Sequence, residues 1–392
     1  MVSSGSSQEN RIFITMNGMR SWAEIDLAKL ERNLRLIRKS IPDHFKYVSV
    51  VKADAYGHGI LPTASRLMQS GVDLFAVANV KEASEIREMG SGWPILVLGP
   101  LLQEEDEAVI ELDLIPSISS IEEIHRFCKV SRYSKKKIKA HLKVDTGMGR
   151  MGTWWEKAEE IISEIYKSPE IELKGILTHF AEPANEEFSR VQRERFQHVI
   201  KQNLPNPLPD DFMVHADNSS SLKVLEKDSV FNAVRIGLLQ FGVTPPLQSA
   251  LAHLPVEPVL SFHAKLALTK NLPANTSVSY GRLHTLNKPS RIGIISAGYG
   301  DAIPLHCGNQ ASALIRGRLY PIVGRVTMDQ TLIDLTTGPN DLGNGETVTL
   351  IGEQNQQEIR LETLAKHGKT IPWELLCSIT KRVPRIYLTK RE

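Results

Sequence analysis

The 392-residue chain is 41% apolar and 23% charged, with a formal net charge of +2. That balance is ordinary for a globular protein and gives no global case for a nucleic-acid or membrane partner. No apolar run is long enough to span a bilayer, and three widely spaced cysteines, Cys128, Cys307 and Cys377, suit a reducing cytoplasm and suggest no metal site.

Residues 1–18 are polar and Ser-rich, lack the apolar stretch of a secretory signal, and read as a flexible tail. From about residue 21 to 240, short β-rich runs alternate with helical patterns. Strands are expected at 47–52, 74–78, 95–98, 114–118, 139–145, 173–179, 212–216 and 234–237. Amphipathic helices are expected at 80–89, 155–166 and 186–202; in the last, Phe188, Val191, Phe196 and Val199 recur at helical spacing. Eight strands with helical crossovers imply a parallel sheet, and eight is the number that closes a (β/α)8 barrel. An open doubly wound sheet competes, but no Gly-x-Gly-x-x-Gly follows the first strand. Beyond the prolines of 245–258 the pattern changes. Strands at 259–268, 291–297, 313–326, 331–335 and 347–351 follow one another without long helices, and helical character returns only at 361–367 and 373–379. The expected fold is α/β: a TIM-like barrel over 19–252, followed by a mainly β C-terminal domain over 253–392.

In such a barrel the chemistry gathers at the C-terminal ends of the strands. Lys52 ends the first strand and leads into Ala53-Asp54-Ala55-Tyr56-Gly57-His58-Gly59, a loop or first helical turn. A desolvated lysine loses basicity and forms Schiff bases with aldehydes, and the Tyr56 hydroxyl suits a phosphate. Taken alone, Lys52 reads more plainly as a surface lysine. Lys143-Val144-Asp145-Thr146-Gly147-Met148-Gly149-Arg150 puts two cations and a glycine-rich turn at another strand end; a salt bridge from Arg150 to Asp145 is the plain structural alternative. At His215-Ala216-Asp217-Asn218-Ser219-Ser220-Ser221 the chain passes from strand to helix. Ser219 or Ser220 serves there as an N-cap or as part of a phosphate site. Arg235, inward-facing at a barrel mouth, calls for a ligand or for His179.

Together these segments, with Val278-Ser279-Tyr280-Gly281 and Gly324-Arg325-Val326-Thr327-Met328-Asp329, resemble alanine racemase, a fold-type III pyridoxal-phosphate enzyme. The resemblance runs from about Trp22 to Arg385. It implies that Lys52 holds the cofactor covalently, and that Tyr56, Ser219 and the backbone of Gly237 and Leu238 hold its phosphate. It implies that Arg235 donates to the pyridine nitrogen, with His179, Asn218 and Trp373 also around the cofactor. Arg150 would bind the phenolic oxygen and approach the substrate carboxylate, oriented by a carbamylated Lys143. The Met328 backbone and Tyr299 would meet the substrate. Lys52 and Tyr280 of the partner subunit would be the two catalytic bases, in a cytoplasmic homodimer that shares its active sites and feeds D-alanine to peptidoglycan. Trp373 stands where the family commonly has tyrosine, Leu305 near a family arginine, and Thr327 where cysteine or serine is common; these bear on substrate size. The alternatives are a serine or broad-specificity racemase, a related decarboxylase, which Arg235 disfavours, and a non-catalytic pyridoxal-phosphate-binding protein, which the second domain disfavours.

Overall fold

A computed structural model describes residues 18–222, 230–245 and 249–389. The segment 1–17, most of the expected tail, lies outside the described residues, as does Pro246. The described residues form two compact units, one within 25–260 with 387–389 and the other 18–24 with 261–386.

The first unit is a nearly closed barrel of eight parallel strands. Their order is Ala233–Ile236, Lys46–Val50, Leu74–Val77, Ile95–Val97, Leu114–Ile118, Ile138–Asp145, Ile171–Leu177 and Met213–His215. Each adjacent pair is parallel. The circle nearly closes where Asn218 bridges Arg235 and Arg235 N donates to Asp217 O at 3.1 Å. All eight expected strands are present, within a residue or two of their expected ends. They were legible because both faces are covered, so Leu74–Val77 and Ile95–Val97 are buried at every position.

The helices start where side chains satisfy their first free N–H groups. Asp26 caps Leu27–Ser40, Asn79 caps Val80–Glu88, Asn185 caps Glu186–Asn203, and Ser120 with Glu123 forms a capping box on Ile121–Ser134. The helix expected at 155–166 begins as a 3-10 turn, Trp155–Lys157, before Ala158–Lys167, as first turns often do.

The second unit is mainly antiparallel β. Its main sheet runs Arg318–Pro321, Ser312–Ile315, Thr347–Gln354, Leu260–Leu272, Ser21–Asp26, Arg385–Leu388; Ser290–Ile295 also pairs with Leu260–Leu272 and with Thr331–Asp334. The single strand expected at 313–326 is two. Arg316 (φ 51°) and Gly317 (φ 76°) form a two-residue turn that folds Arg318–Pro321 back on Ser312–Ile315. Ser21–Asp26 and Arg385–Leu388 carry too little apolar alternation to announce themselves, and they join the sheet from opposite ends of the chain. Among the described residues no helix is long and apolar enough to cross a membrane.

Candidate active site

Lys52–Tyr56 is a helical turn of the left hand. Ala53, Asp54 and Ala55 have φ of 53° and Tyr56 of 54°. Each non-glycine residue in that region costs roughly 1–2 kcal/mol, so the turn persists only because its surroundings fix it. Internally, Gly57 N donates to Ala53 O at 2.9 Å and Gly59 N to Asp54 O at 3.0 Å. Asp54 Oδ1 accepts from Ile60 N at 2.7 Å, and the buried His58 ring lies 2.9 Å from Ala55 O through Nδ1. From outside, the Glu82 carboxylate accepts from Ala53 N and Ala78 N, both at 2.7 Å. At the far end of the turn, a Cβ added to Gly237 would sit 2.8 Å from Tyr56 Oη. Only glycine lets the phenol lie that close to the backbone at 237.

Arg235, buried, lies on the strand next to the one that leads to Lys52, since Ala233–Ile236 pairs with Lys46–Val50. Its Nη1 donates to His215 O (2.8 Å) and reaches His215 Nδ1 (3.0 Å); its Nη2 donates to Thr178 O and Ala216 O (both 2.8 Å) and lies 3.3 Å from His179 Nδ1. A guanidinium only donates, so His215 Nδ1 is an acceptor and the proton of His215 resides on Nε2. That Nε2 therefore donates to His141 Nδ1 at 2.9 Å. Burial brings the pKa of Arg235 down to about 10, which still leaves it charged at neutral pH. Burial, then the nearby Arg235, Lys143, Arg150 and Lys52, holds His179 at about 3, so its ring is neutral. His215, by burial first and Arg235 second, also titrates far below its ordinary value.

Lys143 is buried on Ile138–Asp145, and burial with the Arg235 charge lowers its pKa to about 7, against the raising pull of Asp145. A large fraction is therefore the neutral, nucleophilic amine at physiological pH. The Arg150–Asp145 salt bridge that the sequence allows is not formed. Asp145 instead accepts backbone N–H groups from Gly147 (2.9 Å), Met148 (2.8 Å) and Gly149 (2.9 Å), shaping the loop that carries the exposed Arg150. Gln192, fully buried on Glu186–Asn203, ties that loop down. Its Nε2 donates to Thr146 Oγ1 (3.2 Å) and His179 O (3.1 Å), and its Oε1 accepts from Ala181 N (2.9 Å).

Asn218 takes the turn-capping role that the sequence offered to Ser219 or Ser220: its Oδ1 accepts from Ser220 N and Ser221 N. Ser219 Oγ is buried without a hydrogen-bond partner. Gly237 leads into the buried turn Leu238–Phe241. A stranded hydroxyl and a glycine cradle under a phenol fit the phosphate of pyridoxal phosphate, which would complete both.

In the second unit, Tyr280 is 71% exposed on a turn where Ser279 (φ 60°), Gly281 (φ 73°) and Arg282 (φ 53°) are left-handed. Tyr299 and Met328 lie on two loops zipped together: Tyr299 N donates to Thr327 O and Gly300 N to Met328 O, both at 2.9 Å. A Cβ on Gly298 would approach Thr327 O to 2.1 Å, so only glycine permits this contact. Arg382 spans the same loops, donating to Asp329 Oδ1 at 2.7 Å and lying 3.3 Å from the buried Asp301. Trp373 and Leu305 are partly exposed, and Thr327 Oγ1 donates to Gln330 O. The structure thus groups Lys52 with Tyr56, Arg235 with His179, and Tyr299 with Met328. Sequence reading missed Glu82 and Gln192. Asn79-x-x-Glu82 is a capping signature and flags Glu82 only as a helix start; Gln192 sits unmarked among helix formers.

Residues 25–245 match the family described as alanine racemase, N-terminal domain, and 259–387 that described as alanine racemase, C-terminal domain. An alanine racemase of Halothermothrix orenii is 36% identical over 373 residues, 94% of this chain and 97% of the relative. One from Methanococcus maripaludis is 35% identical over 94% of this chain and 98% of its own. The alanine racemase structure from Clostridium difficile 630 superposes with a TM-score of 0.86 at 30% identity, covering 95% of this chain and 96% of that one. That of Bartonella henselae, with covalently bound pyridoxal phosphate, gives 0.83 at 28% identity, covering 94% and 99%. The chain belongs to the alanine racemase family of amino-acid isomerases.

Proposed function

We propose that the enzyme interconverts L- and D-alanine with pyridoxal phosphate as cofactor, by two-base proton transfer at Cα. The observation that carries this is the barrel-mouth set: Lys52 on its pinned turn, the charged Arg235 on the adjacent strand with the neutral His179 beside it, and the unpartnered Ser219 hydroxyl. Lys52 would hold the cofactor. Tyr56, Ser219, Asn218 and the backbone of Gly237 and Leu238 would hold its phosphate, with Trp373 narrowing the entrance. The chemistry the cofactor supplies when bound is withdrawal of electrons from the substrate Cα.

The remaining steps belong to side chains. Lys52 Nζ removes or returns the proton on one face of Cα, and the Tyr280 hydroxyl of the partner subunit does so on the other. Arg235 keeps its own proton and so withholds it from the pyridine nitrogen, which favours proton exchange over transamination. Arg150 and the Met328 backbone bind the substrate carboxylate, with Tyr299 beside them. The neutral fraction of Lys143 suits reaction with carbon dioxide, losing one proton to give a carbamate whose negative charge orients Arg150. The protein would work as a cytoplasmic homodimer supplying D-alanine for peptidoglycan.

A serine or broad-specificity racemase is the second reading, favoured by Trp373 and the aliphatic Leu305. Chiral product analysis of the cofactor-loaded enzyme on L-alanine, L-serine, L-lysine and L-arginine separates the two. D-alanine formed far faster than any other product supports the first; comparable rates support the second. Lys52→Ala is expected to lose both the visible chromophore and all racemisation.

A further inference from the structure

The geometry points to Glu82 as a positioning residue for the cofactor, acting through the left-handed turn that separates Lys52 from Tyr56. The inference rests on the functional reading that Lys52 anchors the cofactor and Tyr56 its phosphate, and deepens it. The two residues bracket a single turn, so the hand of that turn sets the distance and direction between covalent anchor and phosphate hydroxyl. Ala53, Asp54, Ala55 and Tyr56 all hold φ of 53–54°, a conformation their side chains disfavour. Right-handed or extended alternatives would carry Tyr56 away from Gly237, over which its phenol now lies.

Glu82 reaches this turn from another βα unit. Both its oxygens accept at 2.7 Å, one from Ala53 N at the first strained residue, the other from Ala78 N at the end of Leu74–Val77. The carboxylate therefore staples the turn to the neighbouring strand end. Its own backbone is fixed in turn, because Glu82 N donates to Asn79 Oδ1 at 3.0 Å. An ionised carboxylate accepting two N–H groups at this distance is a strong anchor. Its ordinary helix-start role would direct it to Asn79 N; it reaches out to Ala53 instead.

The test uses the cofactor-loaded enzyme. In the wild type, borohydride reduction and peptide mass spectrometry read which residue carries the cofactor. Label on a residue other than Lys52 overturns the functional reading and the cofactor part of this inference with it. Glu82→Gln offers an amide where two donors point, and Glu82→Asp keeps the charge but falls one methylene short. Both are expected to weaken pyridoxal phosphate binding by about tenfold or more in Kd. Both should also speed hydrogen exchange of the amides of 53–57, a readout independent of activity. Adding Ala53→Gly to Glu82→Gln supplies a residue that adopts the left-handed region without strain, and is expected to recover most of the lost affinity. With Lys52 labelled, a Kd within about threefold of wild type in both variants overturns the inference. So does unchanged exchange at 53–57, or an affinity loss that Ala53→Gly leaves unrepaired, which would make Glu82 a general fold support.

Discussion

Ser219 illustrates how one atom can serve function against stability. Its Oγ is buried without a partner, and a stranded polar group costs roughly 1–3 kcal/mol. Ser219→Ala should therefore raise the thermal midpoint of the cofactor-free protein while weakening cofactor binding by about tenfold. Thermal melts with and without pyridoxal phosphate check both signs. The buried histidines act in the same sense. His141 titrates at about 3, lowered by burial, against an ordinary value of 6.5. Above pH 6.5 both folded and unfolded states are neutral there. Below it only the unfolded state takes up the proton, so stability falls as pH drops from 6.5 toward 3, by about 1.4 kcal/mol per pH unit for this residue. His215 adds to the same slope. Urea midpoints between pH 7 and 5 should fall accordingly, and His141→Gln should flatten the dependence.

At the scale of elements, the helix Glu186–Asn203 does more than cover the barrel. Gln192 holds Thr146 and His179 together, and Arg195 Nη1 donates to Thr146 O at 2.9 Å. The Asp145–Arg150 loop is pinned from that helix as well as by the Asp145 carboxylate. Gln192→Met removes both donors at nearly constant volume. It is expected to raise KM for alanine by about tenfold with a smaller change in kcat, since the Arg150 contact made in the ground state is the one loosened. Steady-state kinetics in both directions would show it; an equal fall in kcat with KM unchanged would count against this role. The helix itself was legible from its apolar spacing. The task of Gln192 was not, because it depends on which strand ends the helix happens to cross.

For the whole molecule, the proposed sharing of active sites makes a sharp prediction. Lys52→Ala and Tyr280→Phe homodimers should each lose racemisation. Mixed after dissociation and reassembly, the two variants form heterodimers with one site carrying both native residues. Activity should return to about a quarter of wild type for random mixing of a two-fold dimer. No recovery, with heterodimers demonstrated by mass spectrometry, would mean that each subunit supplies both bases to its own site.

Composition and pattern by themselves determined the architecture. Strands buried on both faces must be continuous apolar runs, and helices between them must carry one apolar stripe, so eight strands and a β-rich remainder could be read from the chain. Taken singly, Lys52 reads as a surface lysine and Arg150 as a salt-bridge partner of Asp145; the convergence of such groups at strand ends and the resemblance to alanine racemase made them, with Arg235 and Tyr280, candidates. Only the tertiary structure decided the hand of the turn 53–56, which local preference would make right-handed and which Glu82 and His58 help hold otherwise. It alone split 313–326 at Arg316-Gly317, brought Ser21–Asp26 into the second unit's sheet, and oriented His215 and His141 behind Arg235. For Glu82, for Ser21–Asp26 and for the histidines behind Arg235 the deciding partner lies far along the sequence, and hydrogen bonds between distant segments leave no trace in local composition.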